Sequence, residues 1–390
     1  MRIGLFTDTY YPEINGVAHS TYLLKRALER MGHTVYVITS RTKNTQSAPK
    51  ERIYRLPSVS PVIVKDRQLA LVVAPYWIHK CKQMHLDVIH TQTEFTVGIL
   101  GLQVAQKFGI PHIHSYHTMY EDCIHYLPLP KTEGLKRMVC ALSAKFCNYS
   151  DAVIVPTEKV RKKLFGYRVK RDVHVVPTGL DLDKFRSYDT KEVQRLKYRF
   201  NLSSGYTLLS VGRLAEEKRT DKLLEYYKRL EIEEEDVGLL IVGDGPEKER
   251  LQMQAKDMAI RNLCFIGGVP WDEIQNYYAL GDLFVSASKA ETQGLTYMEA
   301  LAAGLPLLVQ RDDCLNGVLK EGVNGTSFTN KKEFLNGFRL MRTRSTKGAL
   351  EIYNDNDFAK AVLGVYESLW INAHRRQTLE FIINTSSVGC

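Results

Sequence analysis

Short apolar runs that end in polar or glycine residues recur along the chain, and such runs are typical of buried β-strands. The first series occupies residues 2–8, 33–40, 86–92, 111–118, 151–157 and 173–179. The second series occupies residues 206–212, 237–245, 263–268, 282–288 and 305–310. Helical patterns separate most of these runs, and strands alternating with helices predict parallel sheets that are covered on both faces. We therefore predict an α/β fold with two doubly wound, Rossmann-like domains and a cleft between them.

The two series meet near residues 175–185, where the strand pattern of the first half ends. We therefore expect one Rossmann-like domain over residues 1–178 and a second over residues 179–370. A long helical pattern at 356–370 has enough residues to run back across the first domain. Residues 371–390 are accordingly assigned to a C-terminal segment that returns to the N-terminal domain.

Composition narrows the class of protein. A chain of 390 residues with 44% hydrophobic content has room for about two or three soluble domains. Its seven cysteines form no CxxC pair, which favours a reducing compartment. The longest mainly apolar stretch, residues 69–78, contains Pro75 and is too short to cross a bilayer. Because the chain starts without a hydrophobic signal segment, we expect it in the cytosol, at most attached to a membrane from one side.

Positive charge is concentrated in the first half of the chain. Residues 1–180 hold 25 Lys and Arg against 13 Asp and Glu, a net +12, whereas residues 181–390 hold 28 against 31, a net −3. A basic half can meet a lipid surface, nucleic acid or only solvent. The sequence has no helix-turn-helix, zinc-finger or base-stacking pattern, so no nucleic-acid partner is expected.

The segment SKAETQGLTYMEALAAG, residues 288–304, joins the end of a predicted strand to a helix that begins near Leu295. Ligands of an open parallel sheet bind outside the carboxyl ends of its strands. Gly294 permits a close approach to the backbone, and the N–H groups of Leu295 and Thr296 suit a phosphate oxygen. This loop is therefore a candidate phosphate site.

Carboxylates and cations accompany this candidate site. Glu291 before the turn and Glu299 in the helix can accept hydrogen bonds from sugar and ribose hydroxyls, although acidic residues are also common near helix starts. Arg213 and Lys218 follow another strand of the series and could stabilise a departing diphosphate, or simply pair with neighbouring glutamates. A third strand is followed by a glycine-rich turn at Gly243. Three such loops on one sheet favour a nucleotide-sugar site.

Together these motifs resemble those of the retaining glycosyltransferases of family 4, which have the two-Rossmann-domain architecture called GT-B. The family's two glutamates, seven residues apart, match Glu291 and Glu299, and its Arg-Lys pair matches Arg213 and Lys218. Its N-terminal glycine-rich loop matches PEINGV, so the resemblance implies that Gly16 takes part in donor binding. The resemblance covers nearly the whole chain. It implies transfer of a sugar from a nucleotide diphosphate donor, with retention of configuration and without a bound metal.

The resemblance also extends to the acceptor side. His117, at the end of the fourth predicted strand, matches a family histidine that lies beside the donor sugar. His112 and His114 alternate with Ile113 and are expected in or near the core, because their spacing does not suit zinc. Three stretches of the chain are similar to those of a subgroup that glucosylates diacylglycerol at a bacterial membrane. They are FTDTYYPEINGVAHST, HTQTEFTVGILG and YHTMYED, the last of which is followed by HYLP.

Two basic segments of the first half fit a membrane surface, where each nearby cation contributes about 1 kcal/mol on anionic lipid. Residues 132–150 predict a helix with an apolar face formed by Leu135, Met138, Val139, Leu142 and Phe146. Residues 158–171 carry seven Lys and Arg against one Glu. The expected membrane-binding residues are Lys136, Arg137, Lys145, Arg161, Lys162 and Lys163. The alternatives are a helix that buries its apolar face in its own domain and charges that are only solvated.

The resemblance thus implies an enzyme that moves glucose from UDP-glucose to diacylglycerol at an anionic phospholipid surface, giving α-monoglucosyldiacylglycerol, a membrane glycolipid or lipoteichoic acid anchor precursor. Its expected place is the cytoplasmic face of the membrane, peripheral or monotopic, without a transmembrane helix. No cofactor is expected, and Asp181 and Asp183, which resemble a metal-binding DxD pair, are interpreted as structural. The alternatives are a soluble or polysaccharide acceptor, a UDP-sugar epimerase of the same architecture, and a regulator that binds nucleotide sugar without turnover.

Overall fold

The chain divides into two compact units in this computed structural model. The structure describes residues 1–42, 45–60, 68–122, 124, 130, 132–200, 202, 205–343 and 352–386. The first unit comprises Met1–Gly179 and the segment that begins at Asp355, and the second comprises Leu180–Asn354. Our predicted boundaries follow residues 178 and 370, whereas the chain passes between the units after Gly179 and after Asn354. The second difference arises because the C-terminal helix begins at Asp355 and packs on the first unit along its first turns.

The first unit is built on a parallel sheet. Its strands are β1 (Arg2–Thr7), β2 (Thr34–Ser40), β3 (Ile53–Leu56), β4 (Ser58–Val59), β5 (Leu69–Ala70), β6 (Val88–Thr91), β7 (His112–Ser115), β8 (Ala152–Val155) and β9 (Asp172–Val175). Seven of these strands pair in the order β3-β2-β1-β6-β7-β8-β9, and β4 pairs antiparallel with β5. Because neighbouring residues of a strand point to opposite faces, Leu5 and Phe6 enter two different apolar clusters.

Helices pack on both faces of this sheet. They are α1 (Gly16–Arg30), α2 (Ala74–Met84), α3 (Thr96–Phe108), α4 (Glu133–Tyr149) and α5 (Glu158–Gly166). Leu24 of α1 joins the cluster of Leu5, whereas Leu100 of α3 joins the cluster of Phe6. The sheet is therefore buried on both sides, as its continuous apolar strands require.

The second unit repeats the plan with strands β10 to β15 and helices α6 to α12. The strands are β10 (Tyr206–Val211), β11 (Val237–Val242), β12 (Leu263–Gly267), β13 (Leu283–Ser286), β14 (Leu307–Gln310) and β15 (Gly325–Phe328). The helices are α6 (Leu182–Arg186), α7 (Thr190–Arg199), α8 (Thr220–Glu233), α9 (Lys248–Asp257), α10 (Ile274–Tyr278), α11 (Leu295–Ala302) and α12 (Lys331–Arg342). The strands pair in parallel in the order β12-β11-β10-β13-β14-β15. Leu208 and Leu209, adjacent on β10, enter separate clusters, so this sheet is also covered on both faces.

The last helix, α13 (Asp355–Ser386), completes the first unit by packing on α1. Phe358, Val362 and Tyr366 join the cluster that contains Leu24. At its start, Arg30 Nη2 lies 2.6 Å from Asp355 Oδ2. This packing agrees with the expectation that the helix at 356–370 runs back across the first domain, whereas the assignment of residues 355–370 to the second domain is wrong.

The predicted α/β fold with two parallel sheets is confirmed, and each predicted strand run overlaps an observed strand. Of the strands in the two parallel sheets, the runs miss β3 and β15, which lie at sheet edges and are only partly buried, so an apolar pattern is weak there. The runs also miss the short antiparallel pair β4 and β5. The apolar stretch 69–78 divides between β5 and α2, whose first turn contains Pro75. Among the residues that the structure describes, no helix has the length and apolarity needed to span a membrane.

Candidate active site

The strand order of the second sheet reverses between its two central strands, β10 and β13. Chain connections lead from β10 outward through β11 to β12, and from β13 outward through β14 to β15. Open α/β sheets bind ligands at such a switch point, outside the carboxyl ends of the strands. Arg213 and Lys218 follow β10, and Glu291 follows β13, so the predicted site residues belong to the two loops of this switch point.

Lys218 and Glu291 meet directly, although they are 73 positions apart in the chain. Lys218 Nζ donates a hydrogen bond to Glu291 Oε1 at 2.6 Å. Burial raises the pKa of the Glu291 carboxyl, but the Lys218 ammonium outweighs burial and holds the pKa below its ordinary value. At neutral pH the pair therefore presents a fixed carboxylate and a fixed cation.

The N-terminus of α11 begins immediately beyond Glu291. Gly294 has φ +74°, in the left-handed region, and a Cβ there would lie 2.5 Å from Tyr297 Cδ2. Glycine is therefore required at this turn. The following Leu295 and Thr296 are only half-buried, and the first N–H groups of a helix have no partner within the helix. The N–H groups at this end of α11 can donate hydrogen bonds to an anionic oxygen of a ligand.

Glu299 lies further along α11 and is held by a buried tyrosine from α10. Tyr278 is fully buried, and its hydroxyl donates to Glu299 Oε2 at 2.7 Å. Burial raises the pKa of Glu299, while the Tyr278 hydrogen bond and the charge of Lys184 oppose the rise. One carboxylate oxygen is thus fixed by the protein, which orients the group for a ligand hydroxyl.

Gly243 brings the loops after β10 and β11 into backbone contact. A Cβ on Gly243, which has φ +147°, would lie 1.8 Å from the carbonyl oxygen of Gly212. Next to this contact, Leu214 N donates to Asp244 O at 3.0 Å. The role of Gly243 visible in the structure is therefore to let the loop that carries Arg213 pack against its neighbour.

In the first sheet the order reverses between β1 and β6, and His117 lies beyond the next strand, β7. His117 is half-buried, and its Nε2 lies 2.7 Å from the Oε1 of Gln92, which follows β6. Burial and the neighbouring His114 lower the pKa of His117 to about 3. The ring is therefore neutral at physiological pH and can both donate and accept hydrogen bonds.

The other histidines of this region are core residues. His112 Nε2 and His114 Nδ1 each lie 3.0 Å from Thr91 Oγ1. His90 Nδ1 lies 2.6 Å from the hydroxyl of Tyr366 on α13. Burial lowers the pKa of both His90 and His112. The placement of His112 and His114 agrees with the interpretation that they are core or supporting residues.

Comparison with known proteins identifies the family. Residues 14–184 match the family model described as Glycosyltransferase Family 4, and residues 194–341 match glycosyl transferases group 1. The alpha-monoglucosyldiacylglycerol synthase of Streptococcus pneumoniae is 39% identical over 335 residues, covering 84% of this chain and 75% of that protein. The enzyme of the same name from Acholeplasma laidlawii is 34% identical over 345 residues, covering 86% of each chain.

The protein belongs to glycosyltransferase family 4. Solved structures agree with the GT-B fold that this membership implies. The structure of Anabaena HepE in complex with UDP and glucose has a TM-score of 0.68 at 14% identity, covering 97% of this chain and 98% of that one. A sucrose-phosphate synthase from Thermosynechococcus elongatus has a TM-score of 0.67 at 18% identity, covering 98% and 99%.

The structure of this family 4 glycosyltransferase adds residues that sequence reasoning missed. Tyr278, Lys184 and Gln92 each act on a predicted site residue. Tyr278 belongs to the short helix α10, most of whose residues are buried. Lys184 belongs to the short helix α6, just after the chain enters the second unit. Gln92 is the last residue of a predicted strand run and lies within the stretch HTQTEFTVGILG. None of them stands in a motif, so only their three-dimensional contacts reveal them.

Two other predicted features occupy ordinary structural positions in the family 4 glycosyltransferase. Gly16 is the exposed first residue of α1, whose N-terminus is capped by Asn15 accepting from Ala18 N at 2.9 Å. Asp181 caps α6 by accepting from Lys184 N at 3.3 Å. The interpretation of Asp181 as structural agrees with this contact, whereas the assignment of Gly16 to donor binding stays a prediction.

The predicted apolar face of α4 is divided in the structure. Leu135 and Phe146 are buried, whereas Met138 and Leu142 are 52% and 59% exposed and Val139 is half-buried. The division arises because α4 buries a stripe that runs through Ser143, Ala144 and Cys147 instead. The expectation of one continuous apolar face is therefore corrected, and exposed apolar side chains remain on α4.

The six predicted membrane-binding cations fall into two groups. Lys163 Nζ pairs with Glu121 at 2.6 Å and Arg161 Nε pairs with Glu158 at 2.9 Å. In the described part of the chain, no ion pair or hydrogen bond involves the charged groups of the other four, Lys136, Arg137, Lys145 and Lys162. Arg137, Lys145 and Lys162 are exposed, as is Phe165 on α5. α4 and α5 therefore each expose an apolar side chain together with positive charge that none of the described residues pairs.

Proposed function

We propose that the protein transfers glucose from UDP-glucose to the free hydroxyl of diacylglycerol, with retention of the α configuration and without a bound metal. The observation that carries this proposal is the Lys218–Glu291 pair at the switch point of the second sheet, beside the N-terminus of α11. The names of the two relatives that cover most of the chain support the acceptor and the sugar.

In this proposal the diphosphate is bound by positive charge and backbone N–H groups. Lys218 and Arg213 are the cations, and Leu295 and Thr296 supply N–H groups at the start of α11. Negative charge develops on the leaving diphosphate as the bond to glucose breaks, and fixed donors stabilise that charge without reorganising. Gly294 is needed because a side chain there would collide with Tyr297 and distort the turn.

The carboxylates bind hydroxyl groups of the donor. We assign Glu291 to the glucose and Glu299 to the ribose, since a carboxylate can only accept hydrogen bonds and sugar hydroxyls donate them. Glu291 stays ionised because of Lys218, and Glu299 is oriented by Tyr278. His117, neutral at physiological pH, is assigned a contact with the donor sugar. The acceptor proton passes to the leaving phosphate on the same face of the sugar, as is usual in this family.

Diacylglycerol resides in a bilayer, so the enzyme must work at a lipid surface. We propose that the exposed apolar residues Met138, Leu142 and Phe165 contact lipid at the cytoplasmic face of the membrane. The exposed cations Arg137 and Lys145 lie on α4, as do Met138 and Leu142, and would attract anionic phospholipid headgroups. Attachment is then peripheral and depends on salt.

The test uses purified protein, radiolabelled UDP-glucose and vesicles that contain diacylglycerol, with or without anionic phospholipid. We expect label to enter the organic phase, faster with anionic lipid, and NMR of the product to show an α linkage. Glu291→Gln should abolish transfer, and Glu249→Gln, an exposed carboxylate on α9, should leave it unchanged. Release of UDP with label remaining in water would overturn the lipid acceptor and favour a soluble one. Conversion of UDP-glucose without any acceptor would indicate an epimerase.

A further inference from the structure

Gln92 occupies an unusual position for a neutral polar side chain. It follows β6 at the carboxyl edge of the first sheet, and only 2% of it is exposed. Its Oε1 lies 2.7 Å from His117 Nε2, while its Nε2 group has no hydrogen-bond partner among the described residues. A buried amide group that lacks a partner is costly and calls for a reason. Among the described residues, the reason that the structure offers is the hydrogen-bond contact of this side chain with His117.

The backbone around Gln92 is held in place on both sides. Gln92 N donates to Phe6 O at 2.8 Å, which extends the pairing of β6 with β1. The next residue, Thr93, donates from Oγ1 to Asp8 Oδ2 at 2.6 Å and accepts from Asp8 N at 2.9 Å. Asp8 Oδ1 also accepts from Val97 N at 3.0 Å, at the start of α3. The amide of Gln92 is therefore presented to His117 from a rigid segment.

The contact fixes where the proton of His117 resides. An amide oxygen can only accept, so Nε2 of a neutral His117 must carry the hydrogen. Nδ1 is then the acceptor, and no hydrogen bond to it occurs within the described part of the chain. Since His117 is half-buried while Gln92 is buried, the inner nitrogen is bound to the protein and the ring keeps an exposed portion.

We propose that Gln92 is a positioning residue that holds His117 as the neutral Nε2–H tautomer, so that Nδ1 accepts a hydrogen bond from a hydroxyl of the donor sugar. The role of the sugar rests on the proposed function, whereas the tautomer rests only on the Gln92–His117 contact. The donor must then carry a hydroxyl opposite His117, and this requirement contributes to sugar specificity.

The first test observes the tautomer directly in the full-length protein with ¹⁵N-labelled histidine. Long-range ¹H–¹⁵N spectra, assigned with a His117→Asn variant, should show a protonated Nε2 and a bare Nδ1 for His117 at neutral pH. A protonated Nδ1 would overturn the proposal whatever reaction the protein catalyses. This measurement needs neither donor nor acceptor, so it separates failure of this inference from failure of the proposed function.

The second test uses variants. Gln92→Leu keeps the side-chain size but cannot accept, and we expect kcat for sugar transfer to fall about tenfold with little change in KM for the donor. The control is Ser115→Ala, which removes a hydrogen bond of 2.8 Å to a different buried histidine, His90. It should leave the His117 tautomer and kcat unchanged. Equal losses of kcat in the two variants would reduce Gln92 to a packing residue and overturn the proposal.

Gln92→Glu keeps an acceptor for His117 and adds negative charge. The carboxylate should raise the pKa of His117, so Nδ1 becomes protonated and activity is lost as pH falls through that raised pKa. The titratable group whose charge lowers the pKa of His117 in the described structure is His114 on β7, and His117 in turn lowers the pKa of His90 on β6. Both are also present in the wild type, whose activity should persist to lower pH. Identical pH profiles for the two proteins would contradict the proposal.

Discussion

At the scale of single residues, the site depends on side chains that hold other side chains. Tyr278 fixes Glu299, Lys218 fixes Glu291, and Gln92 fixes His117. The glutamates and Lys218 could be predicted because they stand in spaced motifs. Tyr278 and Gln92 could not, since a tyrosine in a short helix and a glutamine at a strand end are usually packing or solvated residues. What distinguishes each of them is a hydrogen bond to a site residue that lies 21 positions away for Tyr278 and 25 positions away for Gln92.

The clearest prediction at this scale concerns Tyr278→Phe. Removing the hydroxyl leaves Glu299 without its donor, and a hydrogen bond to a charged group contributes about 1.5–3 kcal/mol. We expect UDP affinity, measured by calorimetry, to fall by at least about tenfold. Tyr227→Phe is the matched control, because this buried hydroxyl donates only to the backbone oxygens of Val237 and Asn262. It should lower stability without affecting UDP.

The UDP affinity of the Tyr278→Phe variant should also depend on pH. Burial raises the pKa of Glu299 and Tyr278 opposes that rise, so Tyr278→Phe raises the pKa further. Glu299 then becomes protonated at higher pH in the variant and loses acceptor capacity for the ribose. The gap in UDP affinity between variant and wild type should widen as pH is lowered, and a constant gap would contradict the proposed ribose contact.

At the scale of elements, the functional groups stand where helices start and strands end. The sequence predicts this placement well for the second unit, because parallel strands share a carboxyl edge and the motifs follow strands. It predicts α4 less well, since helical periodicity shows which residues are apolar but not which of them the domain buries. Met138 and Leu142 fit the apolar stripe of α4 and are nevertheless exposed.

The N-terminus of α11 gives a prediction with an internal control. Gly294→Ala forces a side chain into a left-handed conformation and against Tyr297, which should cost about 1–2 kcal/mol from the conformation alone and more from the collision. Gly304→Ala, beyond the other end of α11, meets the same left-handed conformation at φ +85° with no atom within 4 Å. Thermal unfolding should show a loss in both, whereas UDP binding should weaken only in Gly294→Ala. Equal UDP affinities would contradict a diphosphate at this turn.

The exposed part of α4 gives a second prediction at this scale. The double variant Met138→Ser/Leu142→Ser should retain its stability and UDP affinity but sediment less with anionic vesicles, because it has lost apolar area for lipid contact. Ile232→Ser/Met253→Ser is the control, since both residues are exposed apolar groups of the second unit. If the two double variants sediment alike, α4 does not contact lipid.

At the scale of the whole molecule, the fold class follows from the number and spacing of apolar runs in the sequence. The point at which the chain leaves the second unit, after Asn354, does not follow from them. The helical pattern at 356–370 indicates a long helix but not where the chain leaves the second unit. That point depends on Phe358, Val362 and Tyr366 finding their partners on α1, more than 300 positions earlier in the chain.

Tyr366→Phe tests how far the two units are independent. The change leaves His90 Nδ1 buried without its partner at 2.6 Å, which should cost about 1–3 kcal/mol. Hydrogen exchange measured by mass spectrometry should accelerate in peptides of the first sheet and stay unchanged in those of the second. UDP affinity should be unaffected. Faster exchange in both sheets would show that the units unfold together.

Because α13 closes the first unit, the order of the chain has a consequence for its biosynthesis. The second unit lies between the two parts of the first, so a ribosome finishes residues 180–354 before it supplies the partner of α1. The second unit can fold as a continuous stretch while it is being made. The first must wait, with Leu24 and its neighbours exposed to chaperones, until translation of the gene is nearly complete. A message truncated before codon 355 would therefore yield a complete second unit attached to an unfinished first one.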